Sequence, residues 1–114
     1  MPVPALLCLS TCPDEATARH IADTLVGEQL AACVNLLPGV QSVYRWQGKV
    51  ERAGEVLILV KTTQQRFAKL RERLVALHPY ELPELIAVEI ADGLPAYLDW
   101  IAAESAAGSG SLSN

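Results

Sequence analysis

From Ala31 to Thr63 apolar and polar residues alternate on either side of one glycine-containing break, and this stretch reads as a single long β-hairpin. Even positions give Val34, Leu36, Val40, Tyr44 and Trp46, while odd ones give Asn35, Gln41 and Arg45 mixed with Leu37 and Val43. Period two is therefore present but imperfect. Gln47-Gly48 supplies the turn, because a two-residue hairpin loop needs φ > 0 where the glycine stands. The returning strand passes through polar Lys49 to Glu55 and ends in Val56-Leu57-Ile58-Leu59-Val60, apolar at both parities. A strand of that kind is buried on both sides.

The remaining elements pack on this hairpin. Val3 to Thr11 alternates Val3, Ala5, Leu7 and Leu9 against Leu6 and Cys8, again a two-faced strand. Thr11-Cys12-Pro13-Asp14-Glu15 reads as a helix start, with a hydroxyl cap, a proline where no donor is needed and two acids facing the positive end of the dipole. The helix runs to about Gln29, with Ala18, Ile21, Ala22, Leu25 and Gln29 at i, i+3, i+4 spacing and Arg19, Asp23 and Glu28 toward water. Thr62-Thr63 caps a second helix with Phe67, Leu70, Leu74 and Leu77 inward, which stops at His78 because the residue before Pro79 is pushed out of the α region. Glu84 to Ile90 gives a fourth strand with Ile86, Val88 and Ile90 in phase, and Pro95 to about Glu104 a short C-terminal helix. The order is βαββαβ, an α+β, ferredoxin-like arrangement of a four-stranded antiparallel sheet with its two main helices on one face. Residues 1–104 are expected to form one domain, and the small polar stretch 105–114 a flexible tail.

Two helices cover one face of a sheet, so the other apolar face of this 114-residue chain has to meet a partner, and self-association is the common solution. The 51% hydrophobic and 19% charged composition is shifted toward burial in the same sense. A net charge of -4 without a long single-sign run argues against nucleic acid and anionic membrane surfaces as partners. No segment approaches the ~18 apolar residues of a membrane span. MPVPALLCLS has no Lys or Arg and no secretory pattern; its Leu6-Leu7-Cys8 lacks the charged region that a lipoprotein signal carries. With an odd three cysteines, free thiols in a reducing cytoplasm are expected.

Reactive residue types concentrate in His78-Pro79-Tyr80-Glu81-Leu82-Pro83-Glu84. Two prolines stiffen this loop, which either presents an imidazole, a phenol and carboxylates to a metal or small molecule, or simply caps the preceding helix with His78 against the negative dipole end. Tyr44 and Trp46 belong either to a packed hairpin tip or subunit contact, or to a surface on which a ligand stacks. Lys61 follows five apolar residues, and a buried ammonium is costly unpaired, so it is expected to face a carboxylate, Glu81 or Glu84. Cys33 reads as a small buried thiol before it reads as a metal ligand. Cys8 and Cys12 match no structural zinc spacing.

The segments TCPDEATA (11–18), LAACVNLLPGVQSVYRWQGKVE (30–51), LVKTT (59–63), HPYELPEL (78–85) and YLDWI (97–101) together resemble the CutA family of divalent-cation tolerance proteins. The resemblance implies a ferredoxin-like fold in a tight trimer, with long hairpins wrapping neighbours and clefts between subunits, similar in shape to the trimeric nitrogen-signalling PII proteins. It also implies a link to copper and other divalent metals. Tyr44, Trp46, Lys61, His78, Tyr80 and Glu84 match the family's cleft motifs, and Cys33 its second-strand cysteine. Some bacterial members carry a first-strand cysteine where this chain has Ser10 and a further histidine where it has Leu77.

The reading that follows is a non-enzymatic cytoplasmic homotrimer whose inter-subunit cleft binds a metal ion or small ligand, with no organic cofactor, and passes that state to a protein partner in a PII-like way. Its metal site would be weak and copper-preferring, built on His78 with Cys33. The alternatives are an enzyme using Cys33, His78 and Glu84 as nucleophile, base and orienting acid, and a purely structural trimer.

Overall fold

A computed structural model describes residues 3–106. The elements are β1 (Ala5–Cys12), α1 (Glu15–Gly27), β2 (Cys33–Trp46), β3 (Lys49–Thr63), α2 (Gln64–Leu77), β4 (Ile86–Glu89) and α3 (Pro95–Glu104). The strands form one sheet in the order β2-β3-β1-β4, every neighbouring pair antiparallel. This is the ferredoxin-like arrangement that the element order predicts.

Side-chain parity divides the sheet into two unlike faces. Leu6, Cys8 and Ser10 of β1 lie beside Thr62, Val60 and Ile58 of β3 and are buried. Ile21 and Leu25 of α1 and Leu70 and Leu74 of α2 complete this core, with Phe67 and Leu77 packed at its margin. Burying each such aliphatic side chain contributes about 1.5–3 kcal/mol before the entropy of ordering it. On the other face Leu57 and Leu59 are only half-buried. Leu37, Ile86 and Val88 are 40%, 54% and 48% exposed there. Within one chain, then, the second apolar face is covered in part. The helix α3 contacts β3 and β1 and buries Ile101, which stands outside the core cluster beneath α1 and α2.

The imperfect alternation of β2 has a specific cause. Leu37 lies opposite Leu57, but the next pair is Val40 opposite Glu55, so Pro38 and Gly39 face the single residue Val56 in a β-bulge. Gly39 sits at φ 82°, where an L side chain is strained. The extra residue reverses the parity of β2: Cys33, Asn35 and Leu37 share a face with Val40, Ser42, Tyr44 and Trp46. Tyr44 and Trp46 are thus separated from Val34 and Leu36, with which they are in phase in the sequence. At the far end Trp46 pairs with Lys49 across Gln47 (φ 50°) and Gly48 (φ 80°), the doubly left-handed turn expected of a two-residue loop.

Several boundaries move. Thr11 does not cap α1, because β1 continues through Cys12, paired with Val56; the cap is Asp14, whose carboxylate accepts the Thr17 amide at 2.8 Å. The helix ends at Gly27 rather than Gln29, since Gln29 turns left-handed at φ 58°. Thr63 occupies the cap position of α2 without a side-chain capping bond, while the Thr62 hydroxyl donates to the Leu30 carbonyl at 2.7 Å. β1 starts at Ala5, not Val3, and β4 spans Ile86–Glu89, not Glu84 to Ile90. Ser105, the first residue of the expected tail, is buried and donates to the Ile101 carbonyl, and residues 107–114 of that tail lie outside the described residues.

Candidate functional site

The loop after α2 is fastened to β1 and β3 by its own polar groups. His78 leaves the helix in an extended conformation (φ -80°, ψ 137°), as a residue before proline does. Its ring is buried, with Nε2 2.8 Å from the Thr11 carbonyl and Nδ1 3.2 Å from the Tyr80 backbone nitrogen. A carbonyl only accepts and an amide N–H only donates, so Nε2 carries the proton and Nδ1 the lone pair. Both nitrogens are committed.

The next side chain reaches across to β3. Tyr80 stacks at a tilt on His78, ring centroids 4.7 Å apart, and donates its phenol to Glu55 Oε2 at 2.7 Å. Burial, and then the hydrogen-bonded Glu55 carboxylate, push the phenol's pKa well above the ordinary range, so Tyr80 stays a donor. The loop's exit is tied too. The Ser10 hydroxyl donates to the Glu84 carbonyl at 2.6 Å, and the Thr11 hydroxyl lies 3.4 Å from Glu84 Oε1.

Between this loop and the hairpin tip lies a cleft of about 580 Å³. Tyr80, Glu81, Leu82 and Glu84 form one wall, Ser42 to Trp46 of β2 the other, and Thr11 and Glu55 the sheet side. The bulge at Gly39 is what turns Tyr44 and Trp46 onto the same face as Glu55. Of the residues singled out from sequence, Tyr44, Trp46, Tyr80, Glu81 and Glu84 line this cleft. Lys61, Cys33 and His78 do not: the buried His78 ring is turned to the Thr11 carbonyl instead.

Lys61 faces Asn35 Oδ1, to which its ammonium donates, and not Glu81 or Glu84. Cys33 pairs with Lys61, and Lys61 with Leu7, whereas the His78 ring sits at Thr11, opposite Leu57. Four residues along a strand are ~13 Å. Cys33 and His78 therefore cannot ligate one ion within a single chain, and Cys33, His78 and Glu84 are not within the hydrogen-bond reach that nucleophile and base require. Among the described residues no three His, Cys, Asp or Glu side chains come together as a metal site. Among the described residues of one chain the donor set for a preformed copper centre is incomplete, both ring nitrogens of His78 being hydrogen-bonded. Cys8 and Cys12 are buried thiols, raised by burial to about 11, and do not offer thiolates.

The sequence reading missed Glu55. It is only 8% exposed, yet it stands at the end of a polar run and looks like solvated strand. Its one signal was parity: Glu55 continues the Leu57 and Leu59 face.

Comparison with known proteins gives a consistent assignment. Residues 6–104 match the family described as CutA1 divalent ion tolerance protein. The chain is 57% identical over 93 residues to the divalent-cation tolerance protein CutA of Thermus thermophilus, covering 82% of this chain and 90% of that one. It is 45% identical over 91 residues to protein CutA of Mus musculus, covering 80% of this chain but only 51%, about half, of the mouse protein. Among solved structures, the Cut A1 divalent cation tolerance protein from Thermus thermophilus superposes with a TM-score of 0.88 at 52% identity, covering 90% of this chain and 99% of that one. The periplasmic divalent cation tolerance protein CutA from Archaeoglobus fulgidus superposes with a TM-score of 0.82 at 39% identity, covering 85% and 94%.

Proposed function

Because this chain belongs to the CutA1 divalent ion tolerance family, we propose that it is a non-enzymatic homotrimer whose clefts, completed between subunits, bind a small ligand or metal ion and so link the protein to divalent-cation tolerance. The observation that carries the reading is the uncovered apolar face of the sheet, where Leu37, Ile86 and Val88 stay exposed beside half-buried Leu57 and Leu59. Closed cyclic self-association buries such a face without leaving a new one open. Light scattering on the purified chain is expected to give three subunits. A stable monomer at micromolar concentration overturns the assembly.

The metal part of the proposal is weak binding, not a structural centre. His78 can offer Nδ1 only by releasing the Tyr80 amide, and the carboxylates of Glu81 and Glu84 are the ligands nearest to it in sequence. A calorimetric titration with copper, zinc and cobalt is expected to show low-affinity binding that favours copper and weakens in His78→Ala, following the ligand preferences of imidazole. Identical isotherms for wild type and His78→Ala remove His78 from it. The compartment we propose is the cytoplasm, supported by three free cysteines, two of them buried in the core. Recovery of the thiol-free, oxidised protein from a periplasmic fraction overturns that assignment. A protein partner that reads the cleft, in the manner of a signalling trimer, is the remaining part of the proposal.

A further inference from the structure

The loop that begins at His78 is held shut by one residue. His78 itself stays on the end of α2, its backbone N–H donating to the Leu74 carbonyl at 2.9 Å, and the far end is fixed where the Ser10 hydroxyl donates to the Glu84 carbonyl at 2.6 Å. Between these two points, residues 79–83 are hydrogen-bonded through Tyr80 alone among the described residues: its backbone N–H donates to His78 Nδ1 at 3.2 Å, and its phenol donates to Glu55 Oε2 at 2.7 Å. Pro79 and Pro83 have no N–H to add. Nδ1 carries the only lone pair of the imidazole, because Nε2 holds the proton that faces the Thr11 carbonyl. His78 is 7% exposed and that lone pair points into the loop, so no ion meets Nδ1 while Tyr80 is in place.

We infer that Tyr80 is a latch that sets the metal affinity of this loop: occupancy of His78 Nδ1 and the closed position of Tyr80 exclude one another, so opening the latch strengthens metal binding and metal binding opens the latch. One residue makes both bonds. Displacing its backbone from Nδ1 therefore also breaks the phenol away from Glu55 and separates two rings whose centroids lie 4.7 Å apart. A site that is competent only in its open state binds more weakly than its ligands would allow, by the fraction of molecules that are open. The coupling runs in both directions. Occupancy of His78 frees Glu55 and shifts the Tyr80 wall of the cleft, so the metal state is passed to the surface between the loop and the hairpin. The latch rests on the reading of His78 as the weak metal ligand, and it adds what controls that ligand.

Zinc is the probe, an imidazole-binding ion without redox chemistry at the thiols, titrated calorimetrically into the full-length wild type, Tyr80→Phe and Glu55→Leu at pH 7. Each variant removes the phenol–carboxylate bond, and each should bind zinc about five- to ten-fold more tightly than wild type, the factor equivalent to one hydrogen bond. Adding His78→Ala to Tyr80→Phe should abolish the gain. A gain in Tyr80→Phe without one in Glu55→Leu assigns it to the freed Glu55 carboxylate acting as a ligand, and overturns the latch. Equal or weaker binding by both variants, the result of a loop that is merely loosened, overturns it as well. A second readout on the wild type needs no variant to fold: hydrogen exchange of the Tyr80 amide, followed by NMR, should become faster at saturating zinc, the reverse of the protection that a ligand ordinarily confers. Unchanged or slower exchange overturns the latch. No saturable zinc binding by any of these proteins also overturns it, and the copper titration of wild type and His78→Ala then decides separately whether the metal reading falls with it.

Discussion

Tyr80 and Glu55, twenty-five residues apart in sequence, are joined by a 2.7 Å hydrogen bond that closes the α2–β4 loop onto the middle of the long hairpin. The bond links three things. It fixes the loop that holds His78, it gives a buried carboxylate its one described donor, and it forms the floor between the two walls of the cleft.

Replacing Tyr80 by Phe keeps the ring and removes the donor. Because Glu55 is then buried without a partner, the cost is expected to be about 1–3 kcal/mol, larger than the net worth of an exposed hydrogen bond. Urea denaturation measures it. The double replacement Tyr80→Phe with Glu55→Leu should recover part of the loss, since no unpaired charge is left behind. A Tyr80→Phe protein as stable as wild type would mean that Glu55 has another donor.

Gly39 is expected to be the least replaceable residue of the hairpin. Space is not the reason, for a Cβ at Gly39 would meet nothing within 4 Å. At φ 82° the backbone itself disfavours it, at a cost of about 1–2 kcal/mol for Gly39→Ala. Since the bulge also sets which face Tyr44 and Trp46 occupy, the same variant should disturb the cleft. The combined signature is a lowered denaturation midpoint with altered Trp46 fluorescence; a shift in neither disproves the role.

Acid should remove two surface restraints. Asp14 is held below the usual carboxylate pKa by the Thr17 amide, and Glu28 by the hydrogen-bonded Arg73 guanidinium, which reaches it at 3.0 Å. Both folded values are depressed, so the stabilisation is present above the unfolded pKa values of ~3.9 and ~4.3 and is lost as the pH falls through the folded ones. Asp14→Ala and Arg73→Ala should therefore be less stable than wild type at pH 7, and indistinguishable from it once both carboxylates are protonated. Chemical denaturation across that range checks the sign. The Arg73 effect, being exposed, should also shrink in high salt.

Much of the architecture was legible along the chain because local periodicity records it. The Gln47-Gly48 turn, the end of α2 before Pro79 and the limits of α3 follow from residues adjacent to the features they specify. The inward stripe Ala18, Ile21, Ala22 and Leu25 is likewise a property of one helix face. The family motifs drew attention to the hairpin tip and the 78–84 loop, and of their residues Tyr44, Trp46, Tyr80, Glu81 and Glu84 line one cleft whereas His78, Lys61 and Cys33 do not.

Tertiary structure decided what depends on contacts between segments far apart. Which face Tyr44 and Trp46 share was set by a one-residue bulge against β3, and alternation along β2 alone reads as a blurred period two. His78 looked available as a ligand until Thr11 and Tyr80 took its two nitrogens. Lys61 found Asn35, a cross-strand neighbour, rather than a loop carboxylate, and Glu55, outwardly one more acid in a polar strand, became the buried charge of the cleft. The physical reason is the same in each case. Periodicity and turn chemistry are local and are written in consecutive residues, whereas the protonation, pairing and burial of a polar side chain are fixed by whichever distant group the register places against it.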